Sequence, residues 1–180
     1  MARRNRKVQS QVESLLERFH MTIPPVDVAS IAEQLHVELQ KADLGEISGL
    51  VFQEKGKVII GVNSKHSANR QRFTIAHELG HFFLHAQNPL YVDKVFALKL
   101  RDHVSSEAID IDEIEANAFA AELLMPTKMI LNDIQNISTI LDSETGDLDD
   151  LAKKLSEKYA VSKQAMAIRL INIGLVQNSF

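Results

Sequence analysis

Three histidines and a glutamate lie in one otherwise apolar stretch of the chain, "RFTIAHELGHFFLH", residues 72–85. Within it, His77, Glu78 and His81 form the pattern H-E-x-x-H. Residues i and i+4 of an α-helix lie on one face, so both imidazoles can bind one metal ion. Glu78 lies about 100° around the helix from His77, where its carboxylate can take a proton from a water. The pattern predicts a hydrolytic metal site with Glu78 as the base, rather than helix histidines with ordinary hydrogen bonds.

The third protein ligand is not fixed by this stretch alone. His85 follows His81 by four residues, but three ligands along one helix axis converge poorly on a tetrahedral ion, so His85 is expected to support the site or lie at its rim. A metzincin would have a third histidine at the position of Gln87. The acidic segment "DEIEANAFAAELL" offers Glu113, with Asn117 on the same helical face. Spacing leaves open whether Glu113 binds metal or is only a first-turn acid favoured by the helix dipole.

Composition limits the chemistry and the class of protein. The 180 residues include no cysteine, so a metal site must use histidine and carboxylate, which accept Zn²⁺ and also Mn²⁺ or Fe²⁺. The net charge of −4 gives no overall basic field for nucleic acid. No apolar run approaches the roughly 18 residues that span a bilayer, and the basic start "ARRNRK" lacks the apolar part of a signal peptide. We therefore expect a soluble cytoplasmic protein with no membrane partner.

Periodicity predicts the elements that would position these residues. Helices are expected over "VQSQVESLLERF", after an N-cap at Asp27, and from about 69 to 85. "HVELQKA" is typical of a strand, and "ISGLVFQEKGKVIIGV" of a β-hairpin that turns at 54–57. "IDEIEANAFAAELLM" predicts a helix ended by Pro126, followed by a short helix and two closing helices. Residues 86–106 give no clear pattern, although "VFALKL" could form a strand.

Two segments together resemble one known family. "FTIAHELGHFFLH" followed by "EIEANAFAAELLMP" closely resembles the ImmA/IrrE family of zinc metallo-endopeptidases, and the likeness extends over most of 24–175. It implies an α+β fold with a zincin-like core: a small antiparallel three-stranded sheet, the HExxH helix, a helix bearing the ligating glutamate, and C-terminal helices.

The resemblance also implies roles and a substrate. Zn²⁺ would be bound by His77, His81 and Glu113, with Glu78 as general base and Asn117 as partner of a ligating histidine. Family members cut helix-turn-helix transcriptional repressors of mobile elements or stress responses, so a repressor of that kind is the implied partner. An extended substrate is expected to add to a strand edge at 49–53 or to contact 86–106.

Other assignments stay open at this stage. A donor for the oxyanion is not identifiable, and Tyr91, His103 and Tyr159 are candidates. Residues 141–180 are expected to pack as a helical segment on a metallopeptidase core of residues 1–140, so that the chain unfolds as one unit. Alternatively, "LAKKLSEKYAVSKQAMAIRLI" could be a helix-turn-helix in a DNA- or repressor-binding regulator with a structural or vestigial zinc site. Residues 141–180 carry 5 Lys/Arg and 6 Asp/Glu, which makes a poor phosphate-binding surface, so direct nucleic-acid binding is not favoured.

Overall fold

The structure, a computed structural model, describes residues 2–85, 90–92, 106–140 and 148–175. These ranges contain seven helices and four strands. In chain order they are α1 (Ala2–Arg18), α2 (Val28–Gln34), β1 (Val37–Ala42), β2 (Gly49–Glu54), β3 (Lys57–Asn63), α3 (Ala68–Leu84), β4 (Leu90–Val92), α4 (Ser106–Leu124), α5 (Thr127–Ile140), α6 (Leu148–Tyr159) and α7 (Lys163–Asn172). None of the helices in these ranges combines the length and apolar character needed to cross a bilayer.

The strands form one mixed sheet in the order β1-β3-β2-β4. The predicted hairpin of β2 and β3 is confirmed, and its turn uses positive φ at Lys55 (49°) and Gly56 (80°), which suits the twist of a two-residue loop. The predicted α+β class is also confirmed. The sheet differs from the expected three antiparallel strands, because β1 pairs in parallel with β3 and a fourth strand is present. Local alternation predicts a strand but does not select its neighbour.

β2 is an internal strand. β3 pairs along one side of it, and β4 pairs with Leu50–Phe52 along the other. The expectation of an open edge at 49–53 was therefore wrong, since the stretch from 86 to 106 supplies β4 as a covering strand. The "VFALKL" segment lies outside the described residues. Of the described strands, β1 and β4 form the two edges of the sheet.

The core lies between the sheet and the helices. α3 packs on β2 and β3 with one face and on α4 with the other, and α1 packs on α4. Ile60 of the sheet, Leu79 of α3 and Phe119 of α4 are all buried to 1% exposure or less. α3 is therefore enclosed on two sides, which explains why its residues 74–81 are buried without interruption.

The last two helices share this core. Leu155, Tyr159, Met166 and Leu170 are buried to 1% exposure or less. Their apolar faces point inward, as expected for helices that cover a core. These contacts support the proposal that residues 141–180 unfold together with residues 1–140.

Candidate metal centre

α3 positions the central residues of the site. The helix begins after Ser67, whose side chain accepts a hydrogen bond from the backbone N–H of Arg70, and it continues for 17 residues. His77, Glu78 and His81 are 7%, 1% and 2% exposed. Buried polar side chains are costly unless they have partners, so their burial on one helix indicates a purpose other than packing alone.

The two histidines and Glu113 converge on one point. His77 Nε2 and His81 Nε2 are 3.0 Å apart. Oxygens of Glu113 lie 3.5 Å from His77 Nε2 and 3.3 Å from His81 Nε2. Zinc bonds of about 2.0–2.1 Å at tetrahedral angles place neighbouring ligand atoms about 3.3–3.4 Å apart, so the three donors fit three corners of such a site. Among the described residues, these three form the group that could hold a metal ion.

A close approach of α3 and α4 brings Glu113 to the histidines. A Cβ atom added to Gly80 would lie 3.0 Å from Ala116 Cα and 3.1 Å from its carbonyl oxygen. It would also lie 3.2 Å from Phe119 Cβ. Only glycine allows the helices to approach this far, and Ala116 is one turn beyond Glu113 on α4. The glycine inside the HExxH pattern therefore sets the position of the carboxylate.

Replacing Gly80 with Ala is expected to destabilise the fold by about 1–3 kcal/mol and to weaken metal binding. The added methyl group would push Ala116 away and carry Glu113 with it. In an unconstrained helix the same change stabilises by up to about 1 kcal/mol, so the sign of the effect is informative. Thermal unfolding and competition with a chelator check the two effects, and a more stable protein with unchanged metal affinity would contradict this account.

Glu78 lies under β2. A Cβ atom at Gly49 would be 3.2 Å from Glu78 Oε1 and would overlap the methyl group of Thr74. The strand backbone thus covers the carboxylate closely, and a larger residue at position 49 would displace it. This arrangement holds the proposed base beside His77 without placing it among the three converging donors.

A cleft opens beside these groups. It has a volume of about 130 Å³, and its wall consists of Ser48, Arg70, Phe73, Thr74, His77, Glu78, Glu113 and Asn117. Sequence reasoning did not single out Ser48 or Arg70. Phe73 and Asn117 also line a larger depression of about 720 Å³ bounded by residues of α1, α4 and α7. In the described part of the chain, the cleft therefore adjoins a larger depression with which it shares two wall residues.

His85 and Asn117 lie near the centre but outside the converging group. His85 Nδ1 is 3.3 Å from Asp112 Oδ1, and its Nε2 is 3.8 Å from Glu115 Oε2. Its ring centroid is 5.8 Å from that of His81. Asn117 is exposed in the cleft wall one turn beyond Glu113. Supporting roles for His85 and Asn117 stay predictions.

The three candidates for the oxyanion donor have different positions. Tyr91 lies on β4, where its backbone pairs with Val51, and His103 lies outside the described residues. Tyr159 is fully buried, and its hydroxyl donates to Asp133 Oδ2 at 2.8 Å. Burial and then the Asp133 carboxylate raise the pKa of Tyr159. Tyr159 thus donates inside the fold and is not carried into the function proposed below, whereas roles for Tyr91 and His103 stay predictions.

Comparison with known proteins gives one family and several relatives. A model of the Peptidase M78 family, described as the IrrE N-terminal-like domain, matches residues 32–171. The chain is similar to metallopeptidase ImmA of Bacillus subtilis, with 30% identity over 58% of this chain and 57% of ImmA. It is similar to radiation response metalloprotease IrrE of Deinococcus radiodurans, with 29% identity over 87% of this chain and 46% of IrrE.

Two further matches extend this picture. Immunity region protein 2 of Bacillus phage phi105 is 26% identical over 81% of this chain and 90% of the phage protein. A solved structure of a Mycobacterium tuberculosis transcriptional regulator has a TM-score of 0.60 at 16% identity, over 94% of this chain and 48% of the regulator. That likeness concerns the fold alone. The chain spans about half the length of ImmA, IrrE and the regulator.

Proposed function

The chain belongs to the Peptidase M78 family of IrrE N-terminal-like domains, and from that premise we propose that it is a zinc-dependent endopeptidase that cuts a helix-turn-helix transcriptional repressor. The observation that carries the proposal is the convergence of His77, His81 and Glu113 beside the buried carboxylate of Glu78. The relatives named as metallopeptidases support the same chemistry. The substrate class rests on the resemblance found in the sequence.

The proposed ligands of the metal are His77, His81 and Glu113. Two imidazole nitrogens and one carboxylate are a typical donor set of catalytic zinc sites, which keep one further position for water or substrate. The same donors accept Mn²⁺ or Fe²⁺, so metal availability also decides which ion is bound. When bound, the ion would supply Lewis-acid polarisation of a carbonyl group and would lower the pKa of water.

Glu78 is the proposed base. Its carboxylate lies beside the donor group and under β2, so it can accept a proton from a water that enters the cleft. The water oxygen then attacks the scissile carbonyl carbon, and Glu78 passes the proton to the leaving amine. The backbone at Gly49 lies close to Oε1 of this carboxylate and limits the space on that side of it.

An open site suits a polypeptide better than a small molecule. The cleft shares Phe73 and Asn117 with the larger depression, so the described surface beside the cleft offers room for further residues of a polypeptide. The names of the phage immunity region protein and the radiation response metalloprotease connect those relatives with regulated responses. We extend this to a repressor of transcription as substrate, met in the cytoplasm.

The helix-turn-helix alternative receives less support. In α6 and α7, Lys158 pairs with Asp133, Lys163 with Asp149, and Arg169 with Glu122. Three of the five cations of these two helices are thus paired with carboxylates of the same chain, which reduces the charge that this surface offers to phosphate groups. The apolar faces of both helices are buried in the core, so these helices contribute to the stability of the fold.

The proposed specificity can be tested by comparing two protein substrates. Zinc-loaded protein is expected to cut a cognate helix-turn-helix regulator at one or a few sites and to leave casein largely intact. A peptidase gains such selectivity from contacts beyond the scissile bond, which favour one transition state over others. Mass spectrometry of the fragments is the measurement, with the chelated protein as control. Rapid digestion of casein with the regulator untouched would refute the proposed substrate class.

A further inference from the structure

Arg70 is a charged residue of the cleft wall that the mechanism above does not use. It lies in the first turn of α3 and is exposed, and its Nη2 donates to Ser48 Oγ at 2.7 Å. Its guanidinium carbon lies 5.8 Å from the centre of the Phe73 ring. Ser48 and Phe73 line the same cleft as His77 and Glu78. Two neighbours therefore hold the guanidinium against the wall of the space that a substrate would enter.

The positive charge of Arg70 differs from that of other cations in the structure. Its contacts within the described part of the chain are to a neutral hydroxyl group and a neutral ring. Arg169, Lys158 and Lys65, in contrast, form ion pairs with carboxylates. A guanidinium has five N–H donors in a planar fork, which matches a carboxylate with two parallel hydrogen bonds. Arg70 thus keeps donors for an acidic partner.

The position of Arg70 on α3 gives its distance from the scissile bond. It precedes His77 by seven residues, which is about 10.5 Å along a helix axis. Helical side chains lean toward the N-terminus of their helix. Because this holds for Arg70 and His77 alike, the lean does not shorten the distance between their side chains along the axis. An extended chain rises about 3.3 Å per residue, so Arg70 would meet a substrate residue about three positions from the bond that is cut.

We infer that Arg70 is a specificity-determining residue that binds an acidic side chain of the polypeptide substrate about three residues from the scissile bond. This inference rests on the function proposed above. A purely structural role, as a tie between α3 and the start of β2, would depend on the Ser48 hydrogen bond. The acid-binding role depends instead on the charge, and the two roles therefore predict different responses to substitution.

The probes are two pairs of peptide hydroxamates, whose hydroxamate group binds an active-site metal ion. The first pair is acetyl-Glu-Ala-Leu-hydroxamate and its Gln counterpart, which extend to the N-terminal side of the scissile position. The second pair begins with a succinyl hydroxamate that mimics leucine. It continues with Ala and ends with the C-terminal amide of Glu or Gln, so it extends to the C-terminal side of the scissile position. Glu and Gln differ in charge and hardly in size. Dissociation constants are measured by calorimetry on the zinc-loaded full chain.

In one of the two pairs, the Glu probe is expected to bind about three- to tenfold more tightly than the Gln probe. Arg70→Met should abolish the difference, and Arg70→Lys should retain part of it. Ser48→Ala should keep the preference, because the charge remains. Lys57→Met removes one exposed cation at the turn end of the β2–β3 hairpin, opposite the end at which Gly49 pairs with Val62, and should leave the ratio unchanged. Unfolding curves of each variant exclude misfolding as the cause.

Equal binding of Glu and Gln probes in both pairs would overturn the inference, as would a preference that survives Arg70→Met. If Ser48→Ala and Arg70→Met lost the preference equally, Arg70 would have a structural role, as a tie between α3 and the start of β2, instead of binding the acidic side chain. Probes that fail to bind, or bind equally after removal of the metal with EDTA, would contradict the metal centre itself. That result is distinct from equal binding of metal-dependent probes, which leaves the proposed peptidase function intact.

Discussion

Replacing Glu78 with Gln is expected to lower peptide-bond cleavage by about 10²–10⁴-fold and to leave metal binding unchanged. Gln fills the same space under Gly49 but cannot accept the proton. Glu78 is also outside the group of three converging donors. Replacing Glu113 with Gln should instead lower metal affinity by more than about tenfold, because a charged donor 3.3–3.5 Å from both imidazole nitrogens is lost.

Metal content by elemental analysis and affinity by chelator competition separate these two roles. Glu33→Gln, the same chemical change at an exposed position of α2, is the control and should alter neither quantity. If the Glu78→Gln protein contained no metal and the Glu113→Gln protein were fully loaded, the roles assigned to Glu78 as base and Glu113 as ligand would be reversed. Cleavage that persists in Glu78→Gln at the original rate would exclude Glu78 as the base.

Replacing Arg169 with Met is expected to lower the free energy of unfolding by about 3–5 kcal/mol. Arg169 pairs with the buried carboxylate of Glu122 and donates to Thr127 Oγ1 and to the carbonyl oxygen of Met125. Within the described residues, its removal leaves Glu122 buried with hydrogen bonds from Thr127 alone. For a chain of this length, the melting temperature should fall by about 6–20 °C.

A matched control lies on the same helix. Lys163 pairs with Asp149, but these side chains are 47% and 62% exposed, so Lys163→Met should cost less than about 1 kcal/mol. The double variant Glu122→Gln with Arg169→Met should recover part of the lost stability, because no uncompensated charge remains. Unfolding is followed by two spectroscopic probes. Similar shifts for Arg169→Met and Lys163→Met would contradict the account, and two separate transitions would show that residues 141–180 form a module of their own.

Sequence predicted the parts of this protein that depend on neighbours along the chain. The spacing of His77 and His81 places both imidazoles on one helical face, and the structure confirms that helix. The Asp27 N-cap and the turn at Lys55 and Gly56 follow from local hydrogen bonding and backbone freedom in the same way. Each of these features needs only a few consecutive residues, so the pattern is sufficient.

Features that join distant segments could not be predicted from the pattern. Whether Glu113 reaches the histidines depends on how closely α4 approaches Gly80, and spacing alone left this open. The pairing of β4 with β2 joins segments on opposite sides of α3, and alternation in either segment does not encode it. Arg70 looks like an ordinary solvated charge in a first helical turn until β2 brings Ser48 beside it. The family resemblance supplied Glu113 where local chemistry did not.

The close contact between Gly80 and Ala116 makes α4 a lever with a fixed pivot. Glu113 lies three residues to one side of the pivot and Glu122 six residues to the other, or about 4.5 Å and 9 Å along the axis. A rigid tilt of the helix that displaces Glu122 therefore moves Glu113 in the opposite direction by about half as far. Since Arg169 of α7 holds the long arm, a change in its ion pair with Glu122 has a mechanical route to the carboxylate that faces the two histidines.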